Sequence, residues 1–397
     1  MIASIRQTFN QNFTQEVYQK YLACFESQFP NALDFRIAET PIFIDKHFTQ
    51  KMLDTGEAIN KVIQSSSFQK MTEPALKNIP HFPKESPLPK CLIMDFAIAI
   101  NEQNEIVPAL IELQGFPSLF AFEILQNKCL QKAYSLPEGY SPFLNGYDER
   151  KYLQHLKSIL TTPHQHTVLL DIHPHQQKTK IDFYCTEQYF GIPIVGVTEI
   201  FTEGKTLYYK KNNKKIKIDR IYNRIVLDEL IHQTKEIQEK GALLQNNLDI
   251  EWVTHPHHFF RISKYLLPFL KHTYIPQSLL ADTVDIKSIA LEKFILKPLY
   301  SFAGKGVIID IQISDLEKLQ NPSQWILQEK VAYANIIATP TEKAKAEIRL
   351  FYFWNEEKQK YMATMNLARL SKGKMIGVDY NKNKDWVGGS LAYFEKH

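Results

Sequence analysis

Apolar residues recur at helical spacing from about Thr14 to Gln28 and again from Thr49 to Gln64, so the chain opens with helices. Residues 78 to 90, NIPHFPKESPLPK, hold four prolines and no apolar period, which predicts a connecting loop. Strand-like runs follow from Leu92 to Ile100 and from Ile106 to Leu113 around the polar turn Asn101 to Glu105, the pattern of a β-hairpin. The period returns to that of a helix from about Ser118 to Lys132. Thr167 to Ile172 and Ile192 to Val197 are then short apolar runs flanking a helical stretch, Lys180 to Phe190, which predicts a βαβ unit and a parallel sheet. A lysine-rich hairpin tip (Lys210 to Lys217) leads to a strand at Ile218 to Tyr222, and a helical pattern spans about His257 to Lys271. Beyond it the pattern is mainly strand, and no tandem repeat or long low-complexity tract is present.

A chain of 397 residues that is 44% hydrophobic buries a large core and divides into two or three lobes. Because 47 basic and 43 acidic residues nearly cancel, the net charge of +4 points to neither a nucleic acid nor a membrane as partner. Cys24, Cys91, Cys129 and Cys185 are far apart and form no CxxC pair, which argues against a zinc ribbon or a disulfide framework and for a reducing compartment. The first fifteen residues lack the apolar core of a signal peptide, and no run of eighteen uncharged apolar residues occurs, so a cytoplasmic protein is expected.

The sharpest chemical feature is FILKPLYSFAGKGVIIDI, in which Lys297 ends an apolar strand and a small-residue loop, Ser301 to Gly306, leads toward another. Glycines let backbone N–H groups approach phosphate oxygens, and a lysine at the base of the loop adds a compact positive charge. Such a loop reads either as a phosphate lid or as an ordinary turn. The competing motifs fail on spacing. A P-loop needs glycine where Leu299 stands and Ser or Thr after Lys305; a dinucleotide fingerprint needs a third glycine where Ile309 stands.

Lys297-Pro298 and its glycine loop, followed by WILQEKV at 325 to 331, resemble the ATP-grasp superfamily in kind and order. The resemblance implies that Gln328, Glu329, Lys330 and Val331 form the adenine hinge, and that Ser301, Gly304, Lys305 and Gly306 join Lys297 at the phosphates. AEIRLFYFW and MNLARLSKG resemble the strands that come next, placing Glu347 near the ribose and Arg349 and Arg369 near phosphate or substrate. Residues 332 to 346 then read as an excursion between hinge and ribose residue.

The chain closes on NKNKDWVGGSLAYFEKH without a metal motif, whereas MDFAIAINEQNEIVPALIELQGFP upstream looks like the missing metal-binding hairpin, with Asp95, Glu112 and Gln114. That order resembles circularly permuted ATP-grasp proteins related to glutathionylspermidine synthetase. A hairpin turning about residues 103 and 104 would set Asp95 opposite Glu112, with Gln114 on Glu112's face, and facing carboxylates repel unless a cation joins them. Oxygen ligands of this kind suit Mg²⁺; Gln114 stands where the family carries Asn, one methylene longer. Without the resemblance, the pair reads as solvated acids on an edge hairpin.

The expected fold is therefore mixed α/β and α+β: a helical region at 1–89, a permuted metal-binding part with helices at 90–165, a Rossmann-like pre-ATP-grasp lobe at 166–255 and a nucleotide lobe at 256–397. In IYNRIVLDEL, Arg224 fits either a substrate carboxylate or a buried ion pair, and Lys264 is expected to support the nucleotide lobe structurally. The histidines at 164, 166, 173 and 175 and at 255, 257 and 258 lie in segments broken by Pro174 and Pro256, which predicts solvated loop histidines in place of a metal site. The family implies ATP and Mg²⁺ as cofactors and an ADP-forming ligase joining a small or peptide-like carboxylate to an amine or thiol through an acyl phosphate. A kinase, or a nucleotide-binding protein without turnover, is the alternative on the same fold.

Overall fold

The structure, a computed structural model, describes residues 2–285, 288–301, 304–374, 376 and 378–396. Its centre is a five-stranded antiparallel sheet in the order Gly388–Ser390, Lys360–Ser371, Lys345–Asn355, Cys91–Ile100, Ile106–Gln114. The acidic hairpin and the late hairpin, some 250 residues apart in sequence, thus share one sheet, joined where Cys91–Ile100 runs against Lys345–Asn355. The run CLIMDFAIAI is apolar on nearly every position because this strand is covered on both faces.

Ile100 pairs with Ile106, so the acidic hairpin turns about Gln103, half a step from the expected centre. A bulge at Ile111 restores the offset: Phe96 faces Leu110, but Asp95 faces Glu112. Opposition of the two acids is therefore the product of an inserted residue, a local device that re-aims a side chain.

Helix Lys46–Ile63 crosses this sheet. Asp45 caps it by accepting from the Phe48 N–H at 2.8 Å, and Phe48, Met52, Ile59 and Ile63 form its buried stripe. Gly56 permits the close approach: a Cβ there would lie 1.9 Å from the Tyr352 hydroxyl. Helix Gln15–Gln28 packs on helix Phe122–Ala133, and a disulfide joins Cys24 to Cys129 across them. This corrects the expectation, drawn from the cysteine spacing, of no disulfide framework. Two residues 105 apart on separate helices leave no spacing signal, because only tertiary packing brings them together.

The βαβ reading holds for residues 167 to 196. Helix Lys180–Phe190 connects Thr167–Asp171 to the parallel strand Ile194–Gly196, and Arg220–Asn223 and Glu251–Trp252 extend the same parallel sheet. The lysine-rich tip is the turn between Thr206–Lys211 and Lys214–Ile218, in a small antiparallel sheet with Ile200–Glu203. A third layer, Ser278–Leu280, Trp325–Glu329 and Phe294–Pro298, lies in that order. The excursion at residues 332 to 346 packs into the core: Ala334, Ile337 and Ala344 are fully buried, and Tyr333 bridges to Ala99 at the hairpin. Among the described residues no helix is long and apolar enough to cross a membrane.

The expected helix at 257 to 271 is a short helix, Pro256–Arg261, followed by a 3-10 turn, Lys264–Phe269, restarted by the Ser263 cap. Its histidines are not solvated: His255, His257 and His258 are 2%, 5% and 1% exposed. The proline-rich loop supplies their partners. His257 donates to Glu85 at 3.0 Å and accepts from Phe82 N–H, His255 contacts the Pro83 carbonyl and His258 the Ser86 carbonyl. Glu85, His255 and His257 place ligand atoms within 4.8 Å of one another, but the Arg261 guanidinium already holds Glu85 at 2.6 Å, so the group is an ion-pair clamp.

Burial, reinforced by the neighbouring histidines, pushes His255 down to about 3; burial likewise pushes His258 to about 4. Burial works against the Glu85 carboxylate, yet hydrogen bonds from His257 and Arg261 outweigh it and hold it at about 2. The unfolded chain therefore binds more protons than the native one below the ordinary histidine value of about 6.5. Stability is expected to fall as pH drops from there through 4 to 2, and His258→Gln to flatten the upper part of that fall. Urea midpoints taken between neutral and acid pH check this; a flat profile would refute it.

Candidate functional site

Between the central sheet and the third layer lies a cavity of about 390 Å³. Ile111, Ile295, Val307, Ile309 and Val331 form apolar walls, and Lys264, Lys297, Lys330, Lys374 and Arg369 bring positive charge to it. Glu112, Glu329 and Glu347 are its carboxylates. Three larger cavities, of about 730, 740 and 510 Å³, lie beside helix Ala3–Asn12, around Tyr147 and Trp354, and between Tyr18 and Phe35, and none gathers the residues singled out in the sequence. Apolar walls with a few converging polar groups, more than size, mark a small-molecule site.

Lys297 reaches the cavity because Phe294–Pro298 pairs antiparallel with Trp325–Glu329, which sets its ammonium 2.5 Å from the Gln328 side-chain oxygen. Burial pushes that ammonium down to about 8, against the pull of Glu112 and with the push of Lys264. The Gln328 amide nitrogen and the Arg369 Nε are buried donors without an acceptor among the described residues. Both residues line the cavity.

On the sheet side, Glu347 faces Arg369 across the late hairpin, and their side chains meet at 2.8 Å. Tyr333 donates its hydroxyl to the other oxygen of Glu347. Tyr333 and Lys264 belong to the lining although neither was singled out for the site itself; Tyr333 arrives from the segment read as an excursion. Lys264 donates to the Ser301 carbonyl at 2.7 Å and lies 2.7 Å from Glu112.

Of the residues chosen from sequence, Lys297, Ser301, Gly304, Gln328, Glu329, Lys330, Val331, Glu347, Arg369 and Glu112 meet around this one cavity. Lys305 and Gly306 do not line it; both are exposed, and Gly306 turns with φ of 77° against Pro298. Residues 302 and 303, the middle of the expected lid, lie outside the described residues. Asp95 lies under the cavity floor, fully buried, with Arg349 donating to both its oxygens at 2.7 and 2.6 Å and Arg369 to one at 2.9 Å. Burial works against that carboxylate, but the two guanidinium groups hold it below its ordinary range.

Arg349 spends its remaining reach on the Ser118 hydroxyl at 3.1 Å. Gln114 faces a separate hollow of about 10 Å³ shared with Glu112, Lys264 and Ser301. Arg224 is away from the cavity, 7% exposed, donating to the Ser118 carbonyl at 2.8 Å and to Asp182 at 3.1 Å. Of its two sequence readings, this geometry is that of the buried ion pair.

No protein-family model and no curated protein sequence matches the chain. Among solved structures it resembles a glutathione synthetase-like effector of Globodera pallida in its apo form, with a TM-score of 0.55 at 10% identity, over 97% of this chain and 98% of that one. The likeness is one of fold, extends through the N-terminal helices, and is consistent with the ATP-grasp relationship suggested by the motifs.

Proposed function

We propose that the cavity binds ATP, its adenine beside Gln328 to Val331 and its phosphates toward Lys297 and Arg369, and that the chain uses it to join a carboxylate to an amine. The observation that carries the nucleotide reading is the gathering of Lys297, Gln328 and Arg369, two of whose donors, Gln328 Nε2 and Arg369 Nε, have no acceptor among the described residues, with apolar walls around one cavity. The reaction is the one that the resemblance to ATP-grasp ligases implies: a carboxylate oxygen attacks the γ-phosphorus, ADP departs, and the amine displaces phosphate from the acyl phosphate. Lys297 and Arg369 would offset charge on the phosphate oxygens, and the walls would keep water from the intermediate. On this reading the core is an ATP-grasp fold in permuted order, with the acidic hairpin preceding the lysine strand.

The magnesium expected from Asp95, Glu112 and Gln114 does not fit those residues as a set. Both Asp95 oxygens are held by guanidinium groups, Glu112 is paired with Lys264, and Gln114 faces a different hollow. This favours, as a second reading, a nucleotide-binding protein without turnover.

Product analysis separates the readings. ATP incubated with paired carboxylate and amine pools is expected to yield ADP and free phosphate only when both are present. Phosphate retained on an acceptor would mean a kinase, and ATP bound but recovered intact would favour the second reading.

A further inference from the structure

We infer that this cavity takes the nucleotide phosphates without a divalent cation, the Lys264 ammonium standing where a metal would bridge the acidic hairpin to the phosphate loop. The inference rests on the nucleotide reading and adds how the charge is met. Lys264 sits 2.7 Å from the Glu112 carboxylate and donates at 2.7 Å to the carbonyl of Ser301, where the glycine loop begins. An ammonium has three donors, so two are spent on this bridge and one remains for a phosphate oxygen. Lys264 is 5% exposed and fixed at the start of the turn that Ser263 caps, so it is already desolvated in place.

Asp95 and Glu347 are satisfied in the same way. Arg349 and Arg369 close on Asp95, and Arg369 also holds Glu347, whose second oxygen accepts from Tyr333. Mg²⁺ keeps several of its own waters at about 2.0–2.1 Å and demands near-octahedral room. The hollow beside Gln114 measures about 10 Å³, scarcely one water. Among the described residues five cationic side chains line the cavity against three carboxylates, and a divalent ion bridging Glu112 to the loop at Ser301 would have to displace the Lys264 ammonium.

Titration of the protein with a fluorescent ATP analogue, once with excess Mg²⁺ and once with EDTA, tests this. Affinity is expected to agree within about threefold between the two buffers, and a loss beyond about tenfold in EDTA overturns the inference. Lys264→Gln is expected to weaken binding in EDTA by about tenfold, with Mg²⁺ restoring part of it once Glu112 is released. Unchanged binding of Lys264→Gln in EDTA also overturns it. Should that variant misfold, the two-buffer comparison on the unaltered protein still decides. Absence of binding in both buffers would instead remove the nucleotide reading itself.

Discussion

Asp95→Asn is expected to lower the unfolding free energy by about 3 kcal/mol, near the bottom of the range for removing one partner of a buried ion pair. The side chain is 1% exposed and takes three hydrogen bonds from two arginines. Asparagine keeps the shape but not the charge, so one amide oxygen must serve where two charged ones did, and its N–H₂ points at guanidinium donors. The loss stays at the lower end because Arg369 retains Glu347, whereas Arg349 is left with only the Ser118 hydroxyl. Since the Asp95 carboxylate is held below its ordinary range, its contribution is complete above that range and is lost as pH falls beneath it. The variant should therefore lose that part of the acid dependence. Equilibrium urea denaturation measures both, and a change under about 1 kcal/mol would mean that the arginines do not depend on Asp95.

Lys297→Met should weaken ATP binding by about 10- to 100-fold, the worth of roughly 1.5–3 kcal/mol for hydrogen bonds to a charged group. Methionine preserves most of the apolar stem, so the strand pairing around Ile326 should survive. The unaltered protein should bind less tightly as pH rises through 8, where the free ammonium discharges, while the variant stays flat over that range. Calorimetric titration across this interval, with melting curves to verify folding, supplies the check. Equal affinity in both proteins would place the phosphates elsewhere.

What the chain discloses locally and what it conceals divide along physical lines. Strand alternation and the turn at Asn101 to Glu105 are local, and they located the acidic hairpin to within a residue. The helix Lys180–Phe190 falls where its period places it. The bulge at Ile111 is not local in the same sense, since apolar residues on both faces of the hairpin hide a one-residue slip. Burial of His255, His257 and His258 depends on Glu85 and carbonyls some 170 residues earlier, so the break at Pro256, taken as the mark of a loop, misread them as solvated. Lys264 was noticed as a support, but its place between Glu112 and Ser301 needs three distant segments at once. Sequence order suggested which groups surround the cavity; it contained nothing of which carboxylates the protein neutralises for itself.

The pairing of Cys91–Ile100 with Lys345–Asn355, and of Ile42–Ile44 with Ala392–Glu395, also sets the timetable of folding. A ribosome would release the early hairpin with one long edge bare and keep it so until some 250 further residues had emerged. Late closure of such distant partners makes for slow acquisition of the native state, with a sticky interval in which chaperones have a natural substrate. Shortening the chain before Ala392 would leave Ile42–Ile44 without its parallel neighbour, so truncation at that point should yield insoluble product.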